Sequence, residues 1–97
     1  MNKQEFLTNI DSFYKEAFSI VEKKNSDYGA TTDPFKNFNM SLMVGVEPAR
    51  AILVRMSDKL ARAGNVLGKE SAVKETIKDT LIDLANYSAI LNAYLEQ

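Results

Sequence analysis

All three arginines of this 97-residue chain fall between residues 50 and 62, and two of them share a helical face with a lysine. At about 100° per residue, Arg55, Lys59 and Arg62 occupy an arc of about 60°. Asp58 and Asn65 flank that arc. Arginine presents a planar fork of donors that matches phosphate oxygens, and lysine adds a mobile point charge. Such a ridge suits a phosphorylated ligand.

A second helical face carries the opposite charge. Glu75, Asp79 and Asp83 step by four residues and stay within about 80° of one another, with Asn86 in the same sector. Like charges at this spacing cost an isolated helix a few tenths of a kcal/mol per pair, so a cation or the arginine ridge is expected to offset them. Two adjacent helices could simply zip their charged faces together. Carboxylates could equally orient the cations so that their outer donors meet a phosphate, and the two arrangements are compatible.

A polar, aromatic stretch supplies the third element. Lys24, Asp27, Tyr28 and Gly29, followed by Phe35, Asn37 and Phe38, combine a turn-forming segment with rings and an amide. Aromatic rings stack on nucleobases and asparagine reads a base edge through two hydrogen bonds. For Phe35 and Phe38 the stronger expectation is that they anchor the segment on the core. For Tyr28, stacking and anchoring are equally open.

The rest of the composition is restrictive. The chain has no cysteine and no histidine, and 12 basic residues face 13 acidic ones for a net charge of −1. No thiol nucleophile, thiolate metal site or imidazole base is available. A metal would have to be held by carboxylates and water, which means Mg²⁺ or Mn²⁺. Near-neutral charge argues against duplex nucleic acid as a partner. The first twenty residues mix charged and apolar side chains, which reads as neither a signal peptide nor a membrane span. A cytoplasmic location follows as an expectation.

The elements that must position these groups are helical. Phe6, Ile10, Phe13, Tyr14, Ala17, Ile20 and Val21 recur at steps of three and four, predicting a helix over about 3–24 that ends in the Asn25–Gly29 turn. Asp33-Pro34 looks like a cap followed by proline at the first helical position. It opens a short helix that holds Phe35, Phe38 and Leu42 on one side and breaks at Gly45. Glu47-Pro48 starts a third helix with Ile52, Met56, Leu60, Ala63 and Leu67 as its apolar arc and Gly68 as its stop. The last helix spans about 71–96, capped by Ser71, with Val73, Ile77, Leu81, Leu84, Ser88, Leu91 and Leu95 as its core stripe. The expected fold is all-α: a single domain over 1–97, a compact bundle of three long helices and one short one. Val54, Tyr87, Ile90 and Tyr94 stand outside the main stripes. They could cap the core or pair with another copy, and a homo-oligomer (dimer or tetramer) is expected on surface-to-volume grounds.

Taken in order, four blocks resemble a phage-rich family. They are Lys24-Asn25-Ser26-Asp27-Tyr28-Gly29, Asp33-Pro34-Phe35-Lys36-Asn37-Phe38, Arg55 through Arg62, and Glu75 through Tyr87. They are similar to the blocks of the nucleotide-modification-associated domain family over roughly residues 20–90. That family is itself distantly similar to the all-α nucleoside triphosphate pyrophosphatases of the MazG-like type, which form helical oligomers and use Mg²⁺. Those enzymes pair an E-x-x-E on an early helix with an E-x-x-D on a later one. The first helix here has only the scattered acids Glu5, Asp11, Glu16 and Glu22.

Two functions of different kinds are therefore expected, with a structural helical oligomer as the third possibility. The favoured one is binding without turnover. In its requirements the chain resembles the small helical phage sponges that sequester the cyclic nucleotide signals of bacterial anti-phage defence, in the cytoplasm of the infected host. Lys24, Tyr28, Asn37, Phe38, Arg55, Lys59 and Arg62 would hold the ligand, with no cofactor and no catalytic residue. The alternative is a Mg²⁺-dependent nucleotide pyrophosphohydrolase, with Glu75, Asp79 and Asp83 as metal ligands.

Overall fold

The computed structural model describes the backbone of residues 1–28, 33–69 and 74–97, and the side chains of 1–25, 33–69 and 77–97. Every described element is helical: α1 (Lys3–Tyr28), α2 (Lys36–Asn39), a 3₁₀ segment (Met40–Val44), α3 (Pro48–Val66) and α4 (Lys74–Glu96). The protein is all-α. Its chain divides into two compact units, Met1–Thr32 and Asp33–Gln97.

The first unit is α1. Asn2 starts it: the Asn2 Oδ1 accepts the backbone N–H of Glu5 at 2.8 Å, and the Asn2 amide donates to the Glu5 carboxylate at 3.1 Å. Asn2 thus acts as a side-chain N-cap, and Glu5 bonds the cap's amide rather than its backbone N–H. The helix runs through Asn25-Ser26-Asp27-Tyr28 rather than turning after Lys24. Those polar residues are only moderately poor helix formers, and nothing before Gly29 forbids the helical backbone. Of the apolar stripe, Ala17 is buried and Phe13, Ile20 and Val21 are half-buried, whereas Phe6, Leu7, Ile10, Tyr14 and Phe18 are exposed.

The second unit begins with a capped turn. Asp33 accepts the N–H of Phe35 at 2.9 Å and the Asn39 amide at 3.2 Å, so one carboxylate secures both ends of the α2 turn. The chain then tightens into the 3₁₀ segment, where Ser41 Oγ donates to the Val46 carbonyl at 2.7 Å. Gly45, at φ +76°, supplies the left-handed residue that ends the segment. Pro48 occupies the first turn of α3, where its missing N–H removes no helical bond. Gly68, at φ +86°, stops α3 as its sequence position implies. The Ser71 cap and Val73 lie outside the described residues.

α3 and α4 make the principal contact of this unit, and α2 and the 3₁₀ segment rest on α3. Pro48, Ile52 and Ile82 are fully buried, and Thr80 nearly so. Two expectations about burial are corrected. On α3, Ile52 is buried and Met56 and Ala63 half-buried, but Leu60 and Leu67 are exposed. On α4, Leu81, Ser88 and Leu95 are exposed, while Tyr87, Ile90 and Tyr94 are half-buried within the chain. The aromatic residues of 35–38 explain the second correction: Phe35 meets Tyr94 edge-on at 5.5 Å and Phe38 meets Tyr87 at 6.4 Å. Large rings buried against each other outweigh a stripe of leucines as the choice of inner face.

Candidate functional site

Two contacts set the phase of α3 against α4. Lys59 Nζ lies 3.0 Å from the Asp83 carboxylate. One turn earlier on α3, the Arg55 guanidinium stands 5.9 Å from the centroid of the Phe38 ring. One turn later on α4, Tyr87 meets that same ring edge-on, with an interplanar angle of 86°. A turn back on one helix thus matches a turn forward on the other, so the pair is antiparallel. This follows from the short connection between them.

The Lys59–Asp83 pair is the zipped part of the charged faces. Its side chains are only 30% and 25% exposed, which removes much of the solvent screening that makes surface pairs worthless. The arginines behave differently. Arg55 is exposed, its guanidinium stacked over Phe38, and Arg62 is exposed one turn beyond Lys59. Neither makes an ion pair with a carboxylate among the described residues. Arg50, the third arginine, reaches Glu47 at a loose 3.9 Å on an open surface. The antiparallel phase sets Arg62 level with the turn that carries Asp79, which is also exposed.

The geometry therefore divides the ridge by role. Lys59 is committed to Asp83 and fixes the helix pair. Arg55 and Arg62 flank that anchor on the same face, about 20° apart around α3 and about two turns apart along it. Their donor forks are open to a ligand. The Phe38 ring faces the Arg55 guanidinium itself, a cation–π contact worth about 0.5–1 kcal/mol at an exposed site. The ring is half-buried and already occupied by Arg55 and Tyr87, so it acts as a floor for the guanidinium; anchoring is the role its position supports.

The other expected residues are placed as follows. Asn37 is exposed on α2, beside Phe38. Lys24 lies near the end of α1, in the first unit, and is exposed. Tyr28 is the last residue of α1 and sits on a helix end, not in a turn; its side chain and that of Glu75 lie outside the described residues. Tyr87 joins the cluster although the apolar pattern sets it aside. The spacing that would reveal it is its position one turn after Asp83, on the acidic face.

The described donor set does not fit a divalent cation. Among the described residues, no group of three or more carboxylates converges. Asp83, the acid nearest the cations, has its charge directed at Lys59. A shallow depression lined by Lys3, Leu7 and Asp11 lies on one side of α1 and brings together no comparable charge constellation. No described helix is long and apolar enough to cross a membrane. No family model matches the chain, and no curated protein or solved structure matches it.

Proposed function

We propose that the protein binds a small phosphorylated nucleotide without hydrolysing it, acting as a homo-oligomer in the cytoplasm of a phage-infected bacterium. The observation that carries this reading is the division of the ridge: Lys59 is paired with Asp83 at 3.0 Å, while Arg55 and Arg62 have no carboxylate partner among the described residues. Two guanidiniums left open on one face, Arg55 over an aromatic ring and Arg62 one turn beyond the paired lysine, offer donor forks to phosphate oxygens. Asn37, exposed and next to Phe38 in sequence, offers its amide to a base edge. The signalling role, sequestration of a cyclic nucleotide of anti-phage defence, rests on the family resemblance and on functional analogy.

The test is a panel of linear and cyclic nucleotides, each incubated with the purified protein and Mg²⁺. The expected result is a rise in melting temperature with a subset of the panel and recovery of the bound nucleotide intact, since a ligand that binds the native state stabilises it. Pyrophosphate release that disappears in Asp79→Asn would replace this reading with the hydrolase. A melting temperature unmoved by every nucleotide would remove both and leave the structural oligomer.

A further inference from the structure

Arg55 and Arg62 stand on one face of α3, yet their surroundings differ. The Arg55 guanidinium lies 5.9 Å from the centroid of the Phe38 ring, within the roughly 6 Å over which a ring attracts a cation. Phe38 in turn meets Tyr87 of α4 at 6.4 Å between centroids, with the ring planes 86° apart. Perpendicular rings at this separation attract each other, and the contact fixes the plane that Phe38 presents. No ring stands over Arg62 among the described residues.

The position of Phe38 is set from both ends of its short turn. Asp33 accepts the Phe35 N–H and the Asn39 amide, and the Asn39 N–H donates to the Phe35 carbonyl at 2.8 Å. Phe35 rests edge-on against Tyr94 at 5.5 Å. Tyr94, Tyr87 and Asp83 fall within an arc of about 40° on α4. That one stripe therefore reaches two cations of α3 on successive turns. Asp83 meets Lys59 directly, and Tyr87 meets Arg55 through Phe38. All of these residues belong to the unit Asp33–Gln97, so the whole relay is internal to it. The turn of α4 level with Arg62 carries Asp79 and Thr80 and offers no ring.

We propose that Tyr87 is a positioning residue: through Phe38 it orients the Arg55 guanidinium for the phosphate groups of the ligand. The inference rests on the phosphate-binding reading of the proposed function and gives the two arginines different parts in it. A long side chain fixed before binding has less rotamer freedom to lose when it meets an anion. Arg55 is the pre-set donor, and Arg62 is the mobile one, ordered only by the ligand. The cation–π contact is worth about two- to fivefold in affinity. Tyr87 itself touches no ligand in this scheme, and its ring rather than its hydroxyl does the positioning.

The chain has only three arginines, so their Nε–Hε groups give three NMR signals. In the ligand-free protein the Arg55 signal should be more ordered than that of Arg62. Tyr87→Leu should bring it down to the Arg62 level with helical circular dichroism retained, whereas Tyr87→Phe should leave it as in the wild type. Phe38→Leu breaks the relay from its other member and should act like Tyr87→Leu. Calorimetric titration with inorganic pyrophosphate is the second readout. Tyr87→Leu should weaken binding about two- to fivefold in the wild-type and Arg62→Ala backgrounds, and not at all in Arg55→Ala. An Arg55 signal unmoved by both Tyr87→Leu and Phe38→Leu overturns the proposal while leaving the phosphate reading intact. So does an affinity loss that persists in Arg55→Ala. A wild type that binds neither pyrophosphate nor any nucleotide, with Arg55 still ordered through Tyr87, overturns the phosphate reading and with it the positioning role.

Discussion

The Lys59–Asp83 pair lends itself to a double-mutant cycle, because it is the contact that sets the helix phase and so leaves the arginines open. Its nitrogen–oxygen distance is 3.0 Å and its side chains are 30% and 25% exposed. It therefore sits between exposed pairs, worth about 0.2–1 kcal/mol, and buried ones, whose breaking costs about 3–5 kcal/mol. A coupling energy of about 1 kcal/mol is expected between Lys59→Met and Asp83→Asn. Asp83 has further interactions, so Asp83→Asn alone should cost more than that, and the cycle subtracts the excess. For a domain of this size 1 kcal/mol corresponds to about 4–8 °C in melting temperature. The assay is urea or thermal unfolding of the wild type, both single variants and the double variant, at matched protein concentration because association shifts the transition. Raising the salt should shrink the coupling. The companion cycle of Arg62→Ala with Asp83→Asn should show almost none. Coupling below about 0.3 kcal/mol for Lys59 and Asp83, or larger coupling for Arg62 and Asp83, would refute the assigned phase.

Two further outcomes test the scaffold. Ile52 is fully buried, so Ile52→Ala should cost about 2–5 kcal/mol in urea unfolding, whereas Leu42→Ala in the exposed 3₁₀ segment should cost under about 0.5 kcal/mol. Asp33→Ala removes the acceptor for the Phe35 N–H and the Asn39 amide. It should cost about 0.5–2 kcal/mol and loosen the Phe35–Tyr94 contact, read as loss of near-ultraviolet circular dichroism.

Helix punctuation was the most legible part of the molecule. Gly45, Gly68 and Pro48 each act through a backbone constraint local enough to read from one residue, and each sits where that constraint requires. The end of α1 was less legible, since Asn25, Ser26 and Asp27 tolerate both helix and turn and nothing local decides between them. Burial was the least legible. α4 carries two apolar sectors, the leucine stripe and the Tyr87–Ile90–Tyr94 side. Periodicity shows that both exist but not which one the chain covers itself; that depends on the rings of Phe35 and Phe38 arriving from outside the helix. The candidate site shares this split. A cationic ridge and an acidic ridge follow from spacing, but which cation pairs depends on the offset between two helices, a property neither helix encodes alone. Lys59 takes the partner, and Arg55 and Arg62 are left without a carboxylate among the described residues.

The central claim is that Arg55 and Arg62 hold phosphate. Calorimetric titration of wild type and Arg62→Ala with the tightest-binding nucleotide of the panel tests it most directly. The account predicts a loss of about 1.5–3 kcal/mol, roughly 10- to 150-fold in affinity, with the melting temperature of the free protein almost unchanged. Unchanged affinity, with a melting temperature lowered by several degrees, would contradict it and make Arg62 a structural residue.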